Sequence, residues 1–251
     1  MSVAELTAPP DWLKLDLISD LHLQASEPAT FTAWQRYMQT TPVDAVFILG
    51  DLFEVWVGDD ALVEGSFEAQ CAQVIRQTAA RVPVFFMHGN RDFLVGHDLM
   101  TACHATLLND PSLLTFHGQR WLLSHGDALC LGDTAYMAFR KQVRSADWQK
   151  TFLAKPLAER QTIARGLRQQ SEARKQTGAD YADVDTQAAR QLLLQANAST
   201  LIHGHTHKPA NHDLGDGLQR VVLSDWDVEA IPPRAEVLRL SRAGLQRISA
   251  L

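Results

Sequence analysis

The chain has 251 residues, of which 46% are hydrophobic, and a formal charge of −6. That is enough for one large domain or two small ones, and it argues against a broad nucleic-acid-binding face, which shows as a basic excess. No apolar run is long enough to span a bilayer, and Cys71, Cys103 and Cys130 are too scattered for a zinc knuckle.

The N-terminus lacks the basic-then-apolar pattern of a signal peptide. A soluble protein of a reducing, cytoplasmic compartment is expected. Basic residues are unevenly placed, however. They gather from Arg140 to Lys175, so a local anionic partner is open.

Short apolar runs read as buried strands at 13–19, 45–50, 82–89, 120–126 and 200–205. Helix-like stretches lie near 29–40 and 64–80. This alternation predicts an α/β layered fold. Two closing strands, 220–226 and 235–241, leave no room for crossover helices and are expected to pair antiparallel, giving a mixed sheet. From about 133 to 197 the residues become Ala, Gln, Arg, Leu and Glu, which favour helix. Pro156 fits a first helical turn, and "TGAD" (177–180) marks a break. A helical insertion within a single domain spanning 1–251 is expected.

Polar residues concentrate where the apolar runs end. "SDLH" supplies Asp20 and His22, "LGDLFE" supplies Asp51, and "HGNRD" supplies Asn90, Arg91 and Asp92. "SHGD" supplies His125 and Asp127, and "HGHTH" supplies His203, His205 and His207. Side chains at i and i+2 on extended chain point the same way, so Asp20 and His22 suit a metal site as well as a polar strand cap. Ligands of parallel α/β sheets bind outside the carboxyl ends of strands. Each motif alone is an ordinary turn or helix cap. All five, in order and at strand ends, point to a metal centre.

These motifs, from about 15 to 227, resemble the calcineurin-like metallophosphoesterases. "LGDLFEVWVGDD" (49–60), "FFMHGNRDFLVG" (85–96), "SHGDALCLGDTAY" (124–136) and "IHGHTHKPA" (202–210) resemble more closely the branch of that family that acts on UDP-2,3-diacylglucosamine in lipid A biosynthesis. The resemblance implies a layered sandwich of mixed β-sheets flanked by helices, with the insertion as a cap. It implies two divalent ions, Mn²⁺ above all, with Asp20, His22, Asp51 and His207 holding one and Asp51, Asn90, His125 and His205 the other. It further implies hydrolysis of the diphosphate by a metal-activated water, giving UMP and 2,3-diacylglucosamine 1-phosphate. The enzyme would work at the cytoplasmic face of a bacterial inner membrane, with an anionic lipid surface as partner and with neither nucleic acid nor an obligate protein partner. A different metallophosphoesterase, or a non-catalytic scaffold of the same fold, is the competing reading. The full ligand set argues against the scaffold.

The donor types agree: oxygen and imidazole without thiolate suit hard and borderline ions, and the two oxygens of Asp51 can bridge. Arg91, beside Asn90, is expected to grip phosphate bidentately, so Asp51, Asn90, Arg91 and His125 are the expected catalytic group. Asp92 and Asp127 could each cap a helix or orient an imidazole. His203 could be packed, could support a ligand, or could touch substrate phosphate. His88 is expected to be structural. For the sugar headgroup, Asp133 and Tyr136 would share a helix face, as would Arg168, Ser171 and Lys175, although an exposed basic face explains the latter three equally well. Asn90, Arg91 and His205 complete the expected substrate contacts. The apolar residues of the insertion, such as Phe139, Trp148, Phe152 and Leu167, fit either an acyl pocket or a small core of its own.

Overall fold

The computed structural model describes the backbone of residues 3–176 and 182–251, and the side chains of all of these except 170–176. The chain begins with β1 (Ala4–Thr7), β2 (Lys14–Ile18), α1 (Pro28–Thr40), β3 (Ala45–Ile48), α2 (Phe67–Ala79), β4 (Val84–Met87), α3 (His97–Cys103) and β5 (Thr106–Leu108). It continues through β6 (Ser112–Phe116) and β7 (Gln119–Ser124) into four helices: α4 (Thr134–Val143), α5 (Ala146–Leu153), α6 (Leu157–Gln176) and α7 (Thr186–Ala196). It closes with β8 (Thr200–His203), β9 (Ala210–Gly215), β10 (Leu218–Val222), β11 (Glu236–Ser241) and β12 (Gly244–Ser249).

Two mixed sheets result, ordered β1-β6-β7-β8-β10-β9 and β12-β11-β2-β3-β4-β5. Side chains alternate across each strand. Leu15, Leu17, Phe47, Leu49, Phe85 and Met87 therefore face one way and meet Leu114, Phe116, Trp121, Leu123, Ile202 and Val221 of the other sheet. Phe47 stacks on Phe85 with ring centroids 4.6 Å apart. The alternate residues Ile18, Val46, Ile48 and Phe86 pack outward against Trp34, Met38, Val74, Ile75 and Leu99 of α1–α3. Strands buried on both faces read as continuous apolar runs, which is why they were visible in the sequence.

Asp16 breaks the run on β2 but is fully buried. It accepts hydrogen bonds from Tyr37 Oη (2.9 Å), Thr41 Oγ1 (2.8 Å) and Arg239 Nε (2.7 Å), so its charge is paired. Burial, followed by the Asp16 charge, pushes the Tyr37 hydroxyl well up, leaving it a donor.

The helices fall close to expectation. Pro28 opens α1, and the Ser66 hydroxyl caps α2 by accepting from Ala69 N at 3.1 Å. The expected pairing of the closing strands is corrected: β10 and β11 lie in different sheets and do not pair. β10 runs parallel to β8 because β9 makes the return journey that a crossover helix normally makes, and β9 is its antiparallel neighbour. β11 finds its antiparallel partners in β2 and β12.

The helices between β7 and β8 have two destinations. α7 packs Ala189 and Leu193 on Leu113, Leu122 and Leu201, covering the outer face of the first sheet. Phe152 and Ala164, with Trp148, Leu157 and Ile163, join the core around α1–α3 instead of forming a separate core. Pro156 lies just before α6, while "TGAD" falls outside the described residues.

Candidate metal centre and substrate cavity

β2, β3 and β4 of one sheet and β7 and β8 of the other end at a common edge. Past those ends come Asp20 and His22, Asp51, Asn90, His125, and then His205 and His207. The turns are lashed together by their backbones: Asp20 N donates to Gly50 O (3.1 Å), His22 N to Asp51 O (3.0 Å) and Gly204 N to His125 O (3.0 Å). A side chain at Gly89 would collide with the Asp51 carboxylate, and one at Gly204 with Asp20 and Ser19. The strand-end loops approach too closely for anything larger.

Nine described non-glycine residues have left-handed φ, and five of them are Asp20 (56°), His22 (49°), Asp51 (53°), His205 (67°) and His207 (53°). Such backbone costs on the order of 1–3 kcal/mol per residue and persists where the surroundings impose it, most often at functional sites. The other four cap helices or turn hairpins.

The side chains converge. His22 Nε2 lies 3.1 Å from His207 Nε2, and His207 Nε2 lies 3.5 Å from Asp20 Oδ1. Asp51 faces two imidazoles, with Oδ1 3.7 Å from His125 Nε2 and Oδ2 4.0 Å from His22 Nε2. Asn90 Oδ1 is 3.0 Å from His125 Nε2 and 2.7 Å from His205 Nδ1. Two groups, Asp20–His22–His207 and Asp20–Asp51–His125, each offer donor atoms within 4.8 Å of one another. This all-oxygen-and-nitrogen set fits divalent cations of the hard or borderline kind. Facing imidazole nitrogens and a buried carboxylate pair also fit positive charge between them.

The electrostatics carry the same signature. Burial alone would raise the Asp20 carboxyl, but the hydrogen bond and charge of His207 outweigh it and hold it well below the usual range. Burial would lower His125, yet Asp51, Asp20 and Asp127 lift it to about 9. Burial, followed by the charge of His125, pushes His205 down to about 4.

The residues left open by the sequence are now located. Asp92 neither caps a helix nor touches an imidazole. Its Oδ1 accepts from Gly89 N (2.8 Å) and its Oδ2 from Leu52 N (2.8 Å), joining two strand-end loops. Asp127 is buried beneath α4, accepting from Tyr136 Oη at 2.6 Å and Arg140 Nε at 2.8 Å. His203 is packed: its Nδ1 is 2.7 Å from Gly204 O and its Nε2 is 3.5 Å from Arg220, and burial pushes it to about 3. His88 Nε2 bonds Val95 O at 2.7 Å.

A cavity of about 710 Å³ opens over the cluster. Asp51, Asn90, His205 and His207 contribute to its floor. Val55, Trp56, Phe93 and Leu94 form one wall, and Phe139, Val143, Trp148, Phe152 and Leu167 of α4–α6 form the other. Arg91, Arg140, Arg144, Arg168 and Lys208 supply positive charge. Asp133 lines the cavity while its Oδ1 caps α4 at Tyr136 N (3.0 Å). The Tyr136 ring lies 5.8 Å from that of His205, and its hydroxyl is committed to Asp127. Arg91 Nε is 3.9 Å from Asp51 Oδ2. The Ser171 and Lys175 side chains lie outside those described.

Sequence reasoning missed several neighbours. Glu54 stands between His22, Arg91 and Arg168, although it lies in the quoted "LGDLFE". Asp225 approaches His207 Nδ1 at 3.7 Å and is held by Arg234. Arg140 and Arg144, expected only as part of a basic stretch open to an anionic partner, follow Tyr136 at helical spacing and line the cavity.

A family model for calcineurin-like phosphoesterases matches residues 13–209. A UDP-2,3-diacylglucosamine hydrolase of Chromobacterium violaceum is 48% identical over 85% of this chain and 91% of its own length. A protein of the same name from Bordetella pertussis is 42% identical over 92% of each chain. Among solved structures, the phosphoesterase Yfce from E. coli shares the fold, with a TM-score of 0.50, 17% identity, and coverage of 95% of this chain and 93% of that one. With the strand-end cluster in place and the match running through most of its length, the chain belongs to the calcineurin-like phosphoesterase family.

Proposed function

We propose that the protein hydrolyses the diphosphate of UDP-2,3-diacylglucosamine to UMP and 2,3-diacylglucosamine 1-phosphate in lipid A biosynthesis. The observation that carries this reading is the junction at the cavity floor. A cation-fitting cluster opens directly into a space walled by Phe, Trp, Val and Leu side chains and edged with arginines. A diphosphate bearing acyl chains needs both halves. The names of the relatives with more than 40% identity support the same substrate.

In this reading Asp20, His22, Asp51 and His207 hold one divalent ion, and Asp51, Asn90, His125 and His205 hold the other, with Mn²⁺ the favoured metal. Bound ions supply water activation and neutralise charge on the attacked phosphoryl group. The chain's own groups do the rest. Arg91, beside the Asp51 carboxylate, binds a phosphate oxygen pair. Arg168 closes over the same end of the cavity. Asp133 fixes the start of α4, and Tyr136 offers its ring face to the headgroup. The walls of α4–α6 form the cap, take the acyl chains and exclude water.

The described residues include no helix long and apolar enough to cross a membrane. The enzyme therefore meets its lipid from the surface, and we assign that contact to the exposed apolar and basic residues of α4–α6 on the cytoplasmic leaflet. The test is UMP release from UDP-2,3-diacylglucosamine by Mn²⁺-reconstituted protein, beside simple phosphate monoesters and diesters. Turnover confined to the simple esters would replace this reading with that of a general phosphoesterase.

A further inference from the structure

Glu54 lies just after the turn that presents Asp51, and its backbone is pinned by Glu54 N donating to Leu23 O at 3.1 Å. Its side chain is largely buried, 15% exposed, and touches three groups at once. Oε2 is 3.2 Å from His22 Nδ1, Oε1 is 3.6 Å from Arg91 Nη1, and Oε1 is ion-paired with Arg168 Nε of α6. The opposite nitrogen of the same imidazole, His22 Nε2, faces His207 and Asp51.

We infer that Glu54 is a positioning residue that fixes the His22 imidazole for metal binding and ties α6 to that imidazole through Arg168. This rests on the metal-dependent reading above. The contact at Nδ1 is close but lacks hydrogen-bond alignment; a negative carboxylate there favours the tautomer that carries its proton on Nδ1 and leaves the Nε2 lone pair for a cation. The same carboxylate draws two guanidiniums together over the floor, one from the β4 turn and one from the helical wall. Without it both arginines lose their common anchor, and α6 loses its charged link to His22. Asp225 stands behind His207 in a comparable way, but at 3.7 Å and with Arg234 as its charged partner. As the partner of a proposed metal ligand, Glu54 joins a wall helix to the floor.

The experiment compares wild type, Glu54→Ala and Glu54→Gln by Mn²⁺ titration, by kcat and KM on UDP-2,3-diacylglucosamine, and by thermal unfolding of the metal-free protein. Glu54→Ala is expected to weaken one of two Mn²⁺ sites by about 10–100-fold, to raise KM, and to leave metal-free unfolding unchanged. Glu54→Gln keeps an acceptor oxygen without the charge. It is expected to recover part of the Mn²⁺ affinity but not the KM, and it serves alone if Glu54→Ala does not fold. Unchanged Mn²⁺ affinity in both variants overturns the inference, even with a raised KM, because Glu54 would then serve only the arginines. Wild-type protein that binds no Mn²⁺ removes the metal-dependent reading itself, an outcome visible before any variant is made.

Discussion

The floor of the cavity and its helical wall are built on opposite principles. On the floor, five strand ends are crosslinked by backbone hydrogen bonds, glycines permit contacts no side chain could share, and five of the cluster residues sit in left-handed backbone. The wall of α4–α6 is made of side chains on two short helices and one of 20 residues. Phe139 and Leu167 are partly open to solvent, and the buried Arg160 roots it to the loop after β3 by donating to Val57 O. A floor whose geometry is imposed from many sides suits chemistry, where small displacements cost rate. A wall made of separable contacts suits recognition, where each apolar side chain adds its own increment.

The comparison breaks first at Asp51. Asp51→Asn replaces a charged oxygen that faces His125 and His22 with an amide. Turnover is expected to fall by orders of magnitude on lipid and small esters alike, with weaker binding of both metals and little change in unfolding. Full metal occupancy with near-normal turnover would refute the bridging role. The wall should behave differently. Phe139→Asp combined with Leu167→Asp should spare cleavage of a small activated phosphodiester and raise KM for the diacylated substrate. Each side chain withdrawn from acyl contact forfeits roughly 1.5–3 kcal/mol, or about ten- to a hundredfold. Equal losses on both substrates would mean that the wall supports the floor and does not select the lipid.

How legible each region was follows from the same contrast. The strands of the floor announced themselves because they are buried on both faces, and the ligand motifs because Asp, Asn and His ended apolar runs. The strands missed are edge or near-edge strands. β9 reads "ANHDLG", a run of residues depleted in strands that alternates between half-buried and exposed. Glu54 escaped notice because its partners are 32, 37 and 114 residues away, and Asp92 because it bonds backbone amides, which no spacing rule reveals. The wall was readable only as helix. Phe152 and Phe139 are alike in sequence, yet Phe152 is seated in the main core while Phe139 opens toward the cavity and solvent.

Arg160 sharpens the comparison at the root of the wall. It is 2% exposed, and its guanidinium donates to Val57 O, to Lys155 O at 2.9 Å and to Asp60 Oδ1 at 2.9 Å, in space left by Gly58. Arg160→Met keeps much of the volume but strands those carbonyls. Each buried acceptor left unsatisfied costs about 1–3 kcal/mol. The Asp60 side chain is mostly exposed, so losing its charge partner adds little. Chemical denaturation should show the loss, and lipid turnover should fall further than small-ester turnover. If both activities fall equally, the root is part of the floor.

The smallest effect expected is at the outer face of the wall, where it would meet a membrane. Leu153 is exposed and lies outside the cavity lining, Phe139 and Leu167 line the cavity but are also open to solvent, and Lys141, Lys150 and Arg165 are exposed on the same three helices. Apolar side chains at the headgroup boundary with lysines beside them bind anionic bilayers without spanning them. Each lysine near such a surface contributes about 1 kcal/mol, and the attraction fades within a Debye length. Lys141→Ala with Lys150→Ala should therefore weaken flotation with anionic vesicles at low salt, while neutral vesicles and high salt abolish the difference. Hydrolysis of detergent-dispersed substrate should not change, since neither lysine is among the residues lining the cavity. Wild-type protein that floats under none of these conditions would mean that the wall receives lipid already drawn out of the bilayer, so that its exposed apolar residues face the acyl chains of one substrate molecule and not a membrane.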